Sequence, residues 1–427
     1  MIKKYLLPKG ETKMVIVEFF SRTPIDNMIS AFANRPERVV FLGEYKKMKR
    51  HDPVFHRFLE SVGNTVTQLE YRNIRVRDLS GIVEALEGVI RDYPGCHFDI
   101  TGGEPMAVAA MGVVCERYRG QGIELHQYNV RTGRVYDCDL NGRSVSSQMP
   151  DMTVEQNILL HGGSVVSSEL RENGTYDWQM DREFLEDICT MWEICRMNCG
   201  RWNRQITLLD DMQRFNTEHG DDLLLSAPIS ALSDYLAERR VPMDLKSVFD
   251  KLEKAGLLKN VCREEHTFSL KFKNAQIRRC LTKAGTILEL ITYAAAREIE
   301  TKDGAPCYTD AMTGVFIDWD AVVHDEEDPQ VDTQNEIDVI LMKGLIPVFV
   351  SCKNGAVEDD ELYKLNTMAE RFGGKYAAKV LLATTLGRGG RSKRYLLERA
   401  QDMGIKVIEG VHEMTREEFA RQLRALG

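Results

Sequence analysis

Apolar and polar positions along the first 150 residues repeat one pattern: a short apolar run, a turn, then a segment with apolar residues three and four apart. Met14–Phe20 (broken only by Glu18), Val39–Gly43, Cys96–Ile100, Ile123–Tyr128 and Gly133–Asp139 read as strands. SRTPIDNMISAF, Val54–Val62, Leu79–Arg91 and the small-residue run after TGGEP read as helices, while EYKKMKRH reads as a charged turn. This alternation predicts a doubly wound, largely parallel sheet of Rossmann-like type. Ligands of such sheets bind beyond the C-terminal strand ends. Two turns lie at such ends, Phe20-Ser21-Arg22-Thr23 and Thr101-Gly102-Gly103. The second offers free backbone N–H groups ahead of a helix, suited to a phosphate or other polar ligand. Glycine there equally suits a tight strand-to-helix turn.

From 151 to 280 the pattern turns helical. Asp181–Asn203 is one helix; Ile229–Leu258 reads as helix, turn, helix, followed by short strands around EEHTFSLKF. That is a winged-helix-like order. Its basic tail, Lys271, Lys273, Arg278, Arg279 and Lys283, suits nucleic acid, though such modules also serve as spacers or dimer elements. Residues 281–427 give helix Ala284–Ile299, strand Gly314–Trp319, an acidic loop His324–Asp332, a hairpin, helix Glu358–Phe372, strand Ala378–Thr384, and the basic loop GRGGRSKRYLLERA entering a helix. This is the order of a restriction-endonuclease-like α/β core. Three domains are therefore expected: 1–150, 151–280 and 281–427.

The hairpin, NEIDVILMKGLIPVFVSCKNG, carries the most chemistry. With Lys343-Gly344 as a two-residue turn, alternation puts Glu336, Asp338, Ser351 and Lys353 on one face, Glu336 directly across from Ser351. Carboxylates that hold a cation beside a lysine that meets a charged phosphate describe a metal-dependent phosphodiesterase site. A solvated sheet edge would carry similar residues. The basic loop residues Arg388, Arg391, Lys393 and Arg394 fit a phosphate backbone, or a solvated loop.

Composition narrows the class. With 427 residues, 43% hydrophobic and 28% charged, the chain is globular and long enough for two or three cores. No apolar run approaches the roughly 20 residues of a membrane span, and the first residues lack a signal-peptide core. A cytoplasmic protein without a membrane partner is expected. Ten cysteines are then expected to stay reduced. Cys189, Cys195 and Cys199 lack the paired spacing of a zinc site. The net charge of −9 excludes a chain-wide nucleic-acid coat.

With FSRTPIDN, DITGGEPMAVAAMG and NEIDV…PVFVSCKNG followed by ELYKLNTMAERFGGKYA in hand, the chain resembles CRISPR-associated nucleases that join an N-terminal CARF sensor to a C-terminal PD-(D/E)xK nuclease. The resemblance implies a homodimer that binds a cyclic oligoadenylate, with the four-adenosine ring favoured by two-fold symmetry. It implies Mn²⁺- or Mg²⁺-supported cleavage of DNA or RNA with little sequence preference, in type III CRISPR antiviral defence. Carried over by position, Ser21, Arg22, Thr23, Asn27, Thr101, Gly102, Gly103 and Met106 would hold the activator. Asp338 would be the principal metal ligand, Lys353 would orient the attacking water or stabilise phosphate charge, and Glu289 would support the metal or its water. The family pattern places an acid two residues before the lysine, where this chain has Ser351. A hydroxyl substitutes poorly for a carboxylate at a hard cation. The expected register nominates Glu336 as the replacement and second metal ligand, with Glu361 on the next helix as the alternative. The rival reading is a ligand-sensing CARF and winged-helix transcriptional regulator with an inactive nuclease domain.

Overall fold

The apolar run that opens the pattern becomes β1 (Val15–Phe19) in the computed structural model, which describes residues 14–426 except 76, 122, 139–143, 170–173, 218–219, 239–242, 322–333 and 388. The expected acidic loop His324–Asp332 lies outside the described residues. Two units are distinguished: Met1–Ser164 with Gly344–Ile346 and Phe372–Tyr376, and Val165–Lys343 with Pro347–Arg371 and Ala377–Gly427.

In the first unit β1 is followed by α1 (Pro24–Asn34), β2 (Arg38–Gly43), α2 (Tyr45–Ser61), β3 (Gln68–Asn73), α3 (Leu79–Asp92), β4 (His97–Asp99), α4 (Pro105–Arg117), β5 (Glu124–Asn129), β6 (Arg134–Cys138), β7 (Ser144–Gln148) and α5 (Val154–Leu160). The sheet order is β3-β2-β1-β4-β5-β6-β7. β3 through β5 run parallel, and β6 and β7 are antiparallel. The doubly wound expectation holds, and the order reverses direction between β1 and β4.

Two local readings are corrected. EYKKMKRH is the opening of α2, not a turn; buried Met48, Phe55, Phe58 and Leu59 form its apolar stripe, and the charged residues between them face water. β3 escapes notice because it is an edge strand, QLEYRN, with no buried residue to give a period. One face of the sheet packs Val17, Phe19, Val40, Leu42 and Phe98 against Leu86, Ala107, Ala110 and Met111 of α3 and α4. By strand alternation the other face carries Glu18, Asp99 and His126, all buried.

The second unit continues with β8 (Ser164–Val165), α6 (Arg182–Met197), α7 (Cys199–Gln213), β9 (Leu224–Pro228), α8 (Ile229–Glu238), α9 (Val248–Lys254), β10 (Leu258–Arg263), β11 (Thr267–Phe272), α10 (Ala275–Cys280) and α11 (Thr286–Glu298). Then come β12 (Asp310–Asp318), β13 (Gln334–Lys343), β14 (Ile346–Lys353), α12 (Asp359–Gly373), β15 (Ala378–Ala383), α13 (Arg391–Asp402), β16 (Ile405–Glu409) and α14 (Arg416–Arg424). A three-stranded antiparallel sheet, β10-β11-β9, beside α8 and α9 gives the winged-helix-like order. The larger sheet runs β16-β15-β14-β13-β12-β8. A single apolar cluster joins the two parts, from Phe249 and Phe268 to Ile287, Leu288, Val348 and Val350.

The basic tail of the winged-helix-like part is largely spent on its own fold. Lys271 pairs with Asp221 at 2.6 Å, and Lys273 with Asp187 at 2.6 Å and Glu183 at 2.8 Å. Arg278 donates to the Asp222 carbonyl, and Lys283 pairs with Glu336. These four side chains are occupied within the fold, while Arg279 lies over the Tyr176 ring.

Candidate functional site

β13 and β14 are joined through Gly344-Leu345, one residue later than the sequence reading placed the turn. Gly344 takes φ +63°, which a side chain would oppose. A turn at 344–345 pairs Lys343 with Ile346, and hence Asp338 with Ser351 and Glu336 with Lys353. The shift is two residues in register, so the same face carries the same residues but the partners change. The expectation that Glu336 stands across from Ser351 is therefore corrected: that place belongs to Asp338. Ser351 Oγ donates to Asp338 Oδ2 at 3.2 Å, and the Cys352 N–H donates to the same oxygen at 2.6 Å.

Around Asp338 the groups are ordered by charge. Lys353 Nζ lies 3.8 Å from Asp338 Oδ2 and 2.7 Å from Glu361 Oε2. Burial works against the Lys353 ammonium, but Asp338 and Glu361 outweigh it and hold its pKa above the ordinary value. Glu361 sits in the first turn of α12, where the helix dipole favours an acid. Burial alone would raise its pKa; Lys353 and Lys364 bring it below the usual range. Glu336 is tied to Lys283 instead.

Glu289, on α11, is only 4% exposed. Burial, with the charge of Asp338 next, pushes its carboxyl up to about 8. Burial also raises Asp338. Two acids that disfavour each other's ionisation in a dry site invite a proton or a cation between them. Gly314 of β12 takes φ +58°, where a Cβ would lie in ordinary contact at 4.0 Å from Glu289 Oε2, and together with Glu289 and Glu336 it lines an open cleft beside the carboxylate. Hard oxygen donors next to open space fit Mg²⁺ or Mn²⁺.

Sequence reasoning missed the site role of five residues. Lys283 was grouped with the basic tail, and nothing local marks its reach to Glu336. Gly314 had no motif. Tyr176, Trp178 and Arg279 line a cleft of about 380 Å³ with Lys283, Glu289 and Glu336. Arg279 lies 4.4 Å from the Tyr176 ring centroid. Of the expected backbone contacts, Lys393 pairs with Glu409 and Arg394 with Glu398 at 3.0 Å, Arg391 is exposed at the start of α13, and Arg388 lies outside the described residues.

In the first unit the two nominated loops meet where the strand order reverses. A Cβ on Gly102 would lie 3.1 Å from that of Ser21. Asn27, 1% exposed, is committed to shaping its own loop: it accepts from Ser21 N at 2.7 Å and donates to the carbonyls of Ser21 at 2.9 Å and Thr23 at 3.3 Å. Asp26 accepts from Ser21 Oγ at 3.2 Å and is clamped by Lys375 at 2.7 Å and Tyr376 at 3.1 Å, both within the same unit. Thr101 Oγ1 accepts from Tyr128 N at 2.7 Å. Arg22 and Met106 are exposed. Gly103 has φ +104°, and a Cβ there would meet Phe19 Cβ at 2.8 Å. Gly103→Ala is expected to destabilise the first unit by roughly 1–3 kcal/mol, read as a lower melting midpoint.

No protein family matches the sequence, and no curated protein matches it. The fold does have solved counterparts. The protein VC1899 from Vibrio cholerae is similar with a TM-score of 0.69 at 14% identity, over 97% of this chain and 98% of that one. Can2 from Sulfobacillus thermosulfidooxidans, solved in complex with cyclic tetra-adenylate, is similar with a TM-score of 0.60 at 17% identity, over 97% of this chain and 98% of that one. The chain thus shares its fold with both along nearly its whole length.

Proposed function

We propose that this chain is a nuclease switched on by a cyclic oligoadenylate, acting in type III CRISPR antiviral defence. The carrying observation is the Asp338 cluster: a buried carboxylate with Lys353 at 3.8 Å, a second buried acid, Glu289, and space beside them. The fold shared with a protein solved with cyclic tetra-adenylate supports the sensor half. In this reading Ser21, Arg22, Thr23, Thr101, Gly102, Gly103 and Met106 face the activator, Asn27 holds the first loop, and a homodimer forms the two-fold site. Among the described residues no helix is long and apolar enough to cross a membrane, and a cytoplasmic setting is part of the proposal.

Asp338 and Glu289 would hold Mn²⁺ or Mg²⁺, which when bound supplies Lewis acidity toward a phosphoryl oxygen and an acidified water. The protein's own groups do the rest. Cys352 N–H and Ser351 Oγ fix the Asp338 carboxylate in one orientation. Lys353, held by Glu361, stands where negative charge develops on the phosphate. Tyr176, Trp178 and Arg279 offer ring faces and a cation to a base of the DNA or RNA strand, contacts that tolerate any sequence. Ser351 then needs no carboxylate, since Glu289 supplies the second acid and Glu336 serves Lys283.

The test is incubation with Mn²⁺, plasmid DNA and single-stranded RNA, with and without each cyclic oligoadenylate. Cleavage should require the activator, be strongest with the tetra-adenylate, and stop with chelator. A ligand-dependent footprint on one defined DNA sequence without cleavage would instead establish the regulator reading.

A further inference from the structure

The first unit holds a group of side chains of its own that can ligate a metal. His97 opens β4 and Glu124 opens β5; the two are paired in register, and His126 lies two residues on, on the same face. His97 Nδ1 and His126 Nε2 are 2.7 Å apart. Glu124 Oε2 faces both, at 3.4 Å from His97 Nδ1 and 3.8 Å from His126 Nε2. These separations bracket the ~3.3 Å edge of a tetrahedral zinc site with bonds near 2.0–2.1 Å. With their ring centroids 4.9 Å apart, the two imidazole nitrogens meet nearly head-on, as in an N–H···N hydrogen bond, with the Glu124 carboxylate beside them. A cation here would replace the shared proton and draw the three atoms around itself. One shared proton satisfies a single pair of them, while a cation satisfies all three.

We propose that His97, Glu124 and His126 bind a transition-metal cation of the Zn²⁺ class. Two imidazoles and one carboxylate are the donor set that suits it, unlike the all-oxygen set around Asp338. Asp99, paired in register with His126 on the same face and 1% exposed, adds a negative charge close to His126, while its own carboxyl is engaged by Thr101 N at 2.7 Å and by Glu18. His126 is buried while Glu124 is exposed, so the cation enters from solvent and is held from within. The consequence is a clamp between β4 and β5. β4 leads directly into the Thr101-Gly102-Gly103 loop, so the cation would brace one wall of the activator loops from the opposite end of the strand.

The experiment uses the full chain, stripped with chelator and dialysed against ZnCl₂, with bound zinc measured by elemental analysis. One tightly held zinc per chain is expected in the wild type and in Asp338→Asn, and none in His97→Gln or His126→Ala. Because the buried His126 change risks misfolding, exposed Glu124→Gln is the second variant, expected to weaken zinc binding about 10–100-fold. Co²⁺ in place of zinc should give the strong visible absorption of a tetrahedral nitrogen and oxygen site in the wild type and in Asp338→Asn, and not in the histidine variants. Equal zinc in wild type and both histidine variants, or zinc lost only in Asp338→Asn, would overturn the proposal, as would a wild type that retains none.

Discussion

Asp338→Asn is expected to lower activator-dependent cleavage by on the order of 10³-fold or more while leaving the fold intact. Asparagine keeps the volume and an oxygen that can accept from Cys352 N–H and Ser351 Oγ, so the hairpin loses no hydrogen bond. What disappears is the charge. Without it the proposed cation would lose its principal holder, and Lys353 loses the partner at 3.8 Å. Lys353 remains paired to Glu361 and swings toward it. Cleavage of plasmid and RNA in Mn²⁺, alongside thermal melting, separates the two effects. Retained cleavage with an unchanged melt would remove the site from Asp338. Glu336→Gln provides the contrast. Its carboxylate already serves Lys283, so a loss of only about 10-fold is expected, typical of a group that acts through another.

Glu289→Gln should separate stability from activity. In the folded protein this carboxyl titrates at about 8, against 4.5 for an ordinary glutamate, because burial and then Asp338 disfavour its charge. The folded state therefore keeps a proton that the unfolded chain releases. That contribution to stability is complete below the unfolded value and is lost as pH rises through about 8. Glutamine mimics the protonated acid and cannot ionise. Without metal, the variant and wild type should melt together near pH 4, and the variant should be more stable near pH 9 by about 2–4 kcal/mol. Cleavage should nonetheless fall at least 10²-fold, and Mn²⁺ should stabilise the wild type at pH 8 but not the variant. A variant less stable than wild type near pH 9 would show that Glu289 is ionised and satisfied there, and would return the second acid to Glu336.

Much of the fold was readable because its strands are buried on both faces or alternate cleanly. The positions of β1, β2, β4 and β5 follow from apolar runs, and the loops after β1 and β4 follow from the doubly wound topology. What failed had physical reasons. The start of α2 is dense in charge, and only the distant Phe55 and Phe58 reveal its stripe. β3 buries nothing. The hairpin turn moved by one residue because Gly344 satisfies either placement, as the second turn residue or the first. Parity protected the face while changing which acid meets Ser351. Lys283 and Glu336 are 53 positions apart, and His97 and His126 are 29 apart. Pairings of that kind come from sheet order and cannot be read from spacing.

Ser351 bears on whether the second unit needs a metal in order to fold. A third carboxylate at that strand position would crowd like charges together, and the chain would need its cation to finish folding. A hydroxyl joins β13 to β14 through Asp338 without adding charge, and the two lysine–glutamate pairs cancel around it. The second unit can therefore mature empty and persist empty. In the proposed reading, loading with metal would then be a separate and reversible event rather than a step of folding.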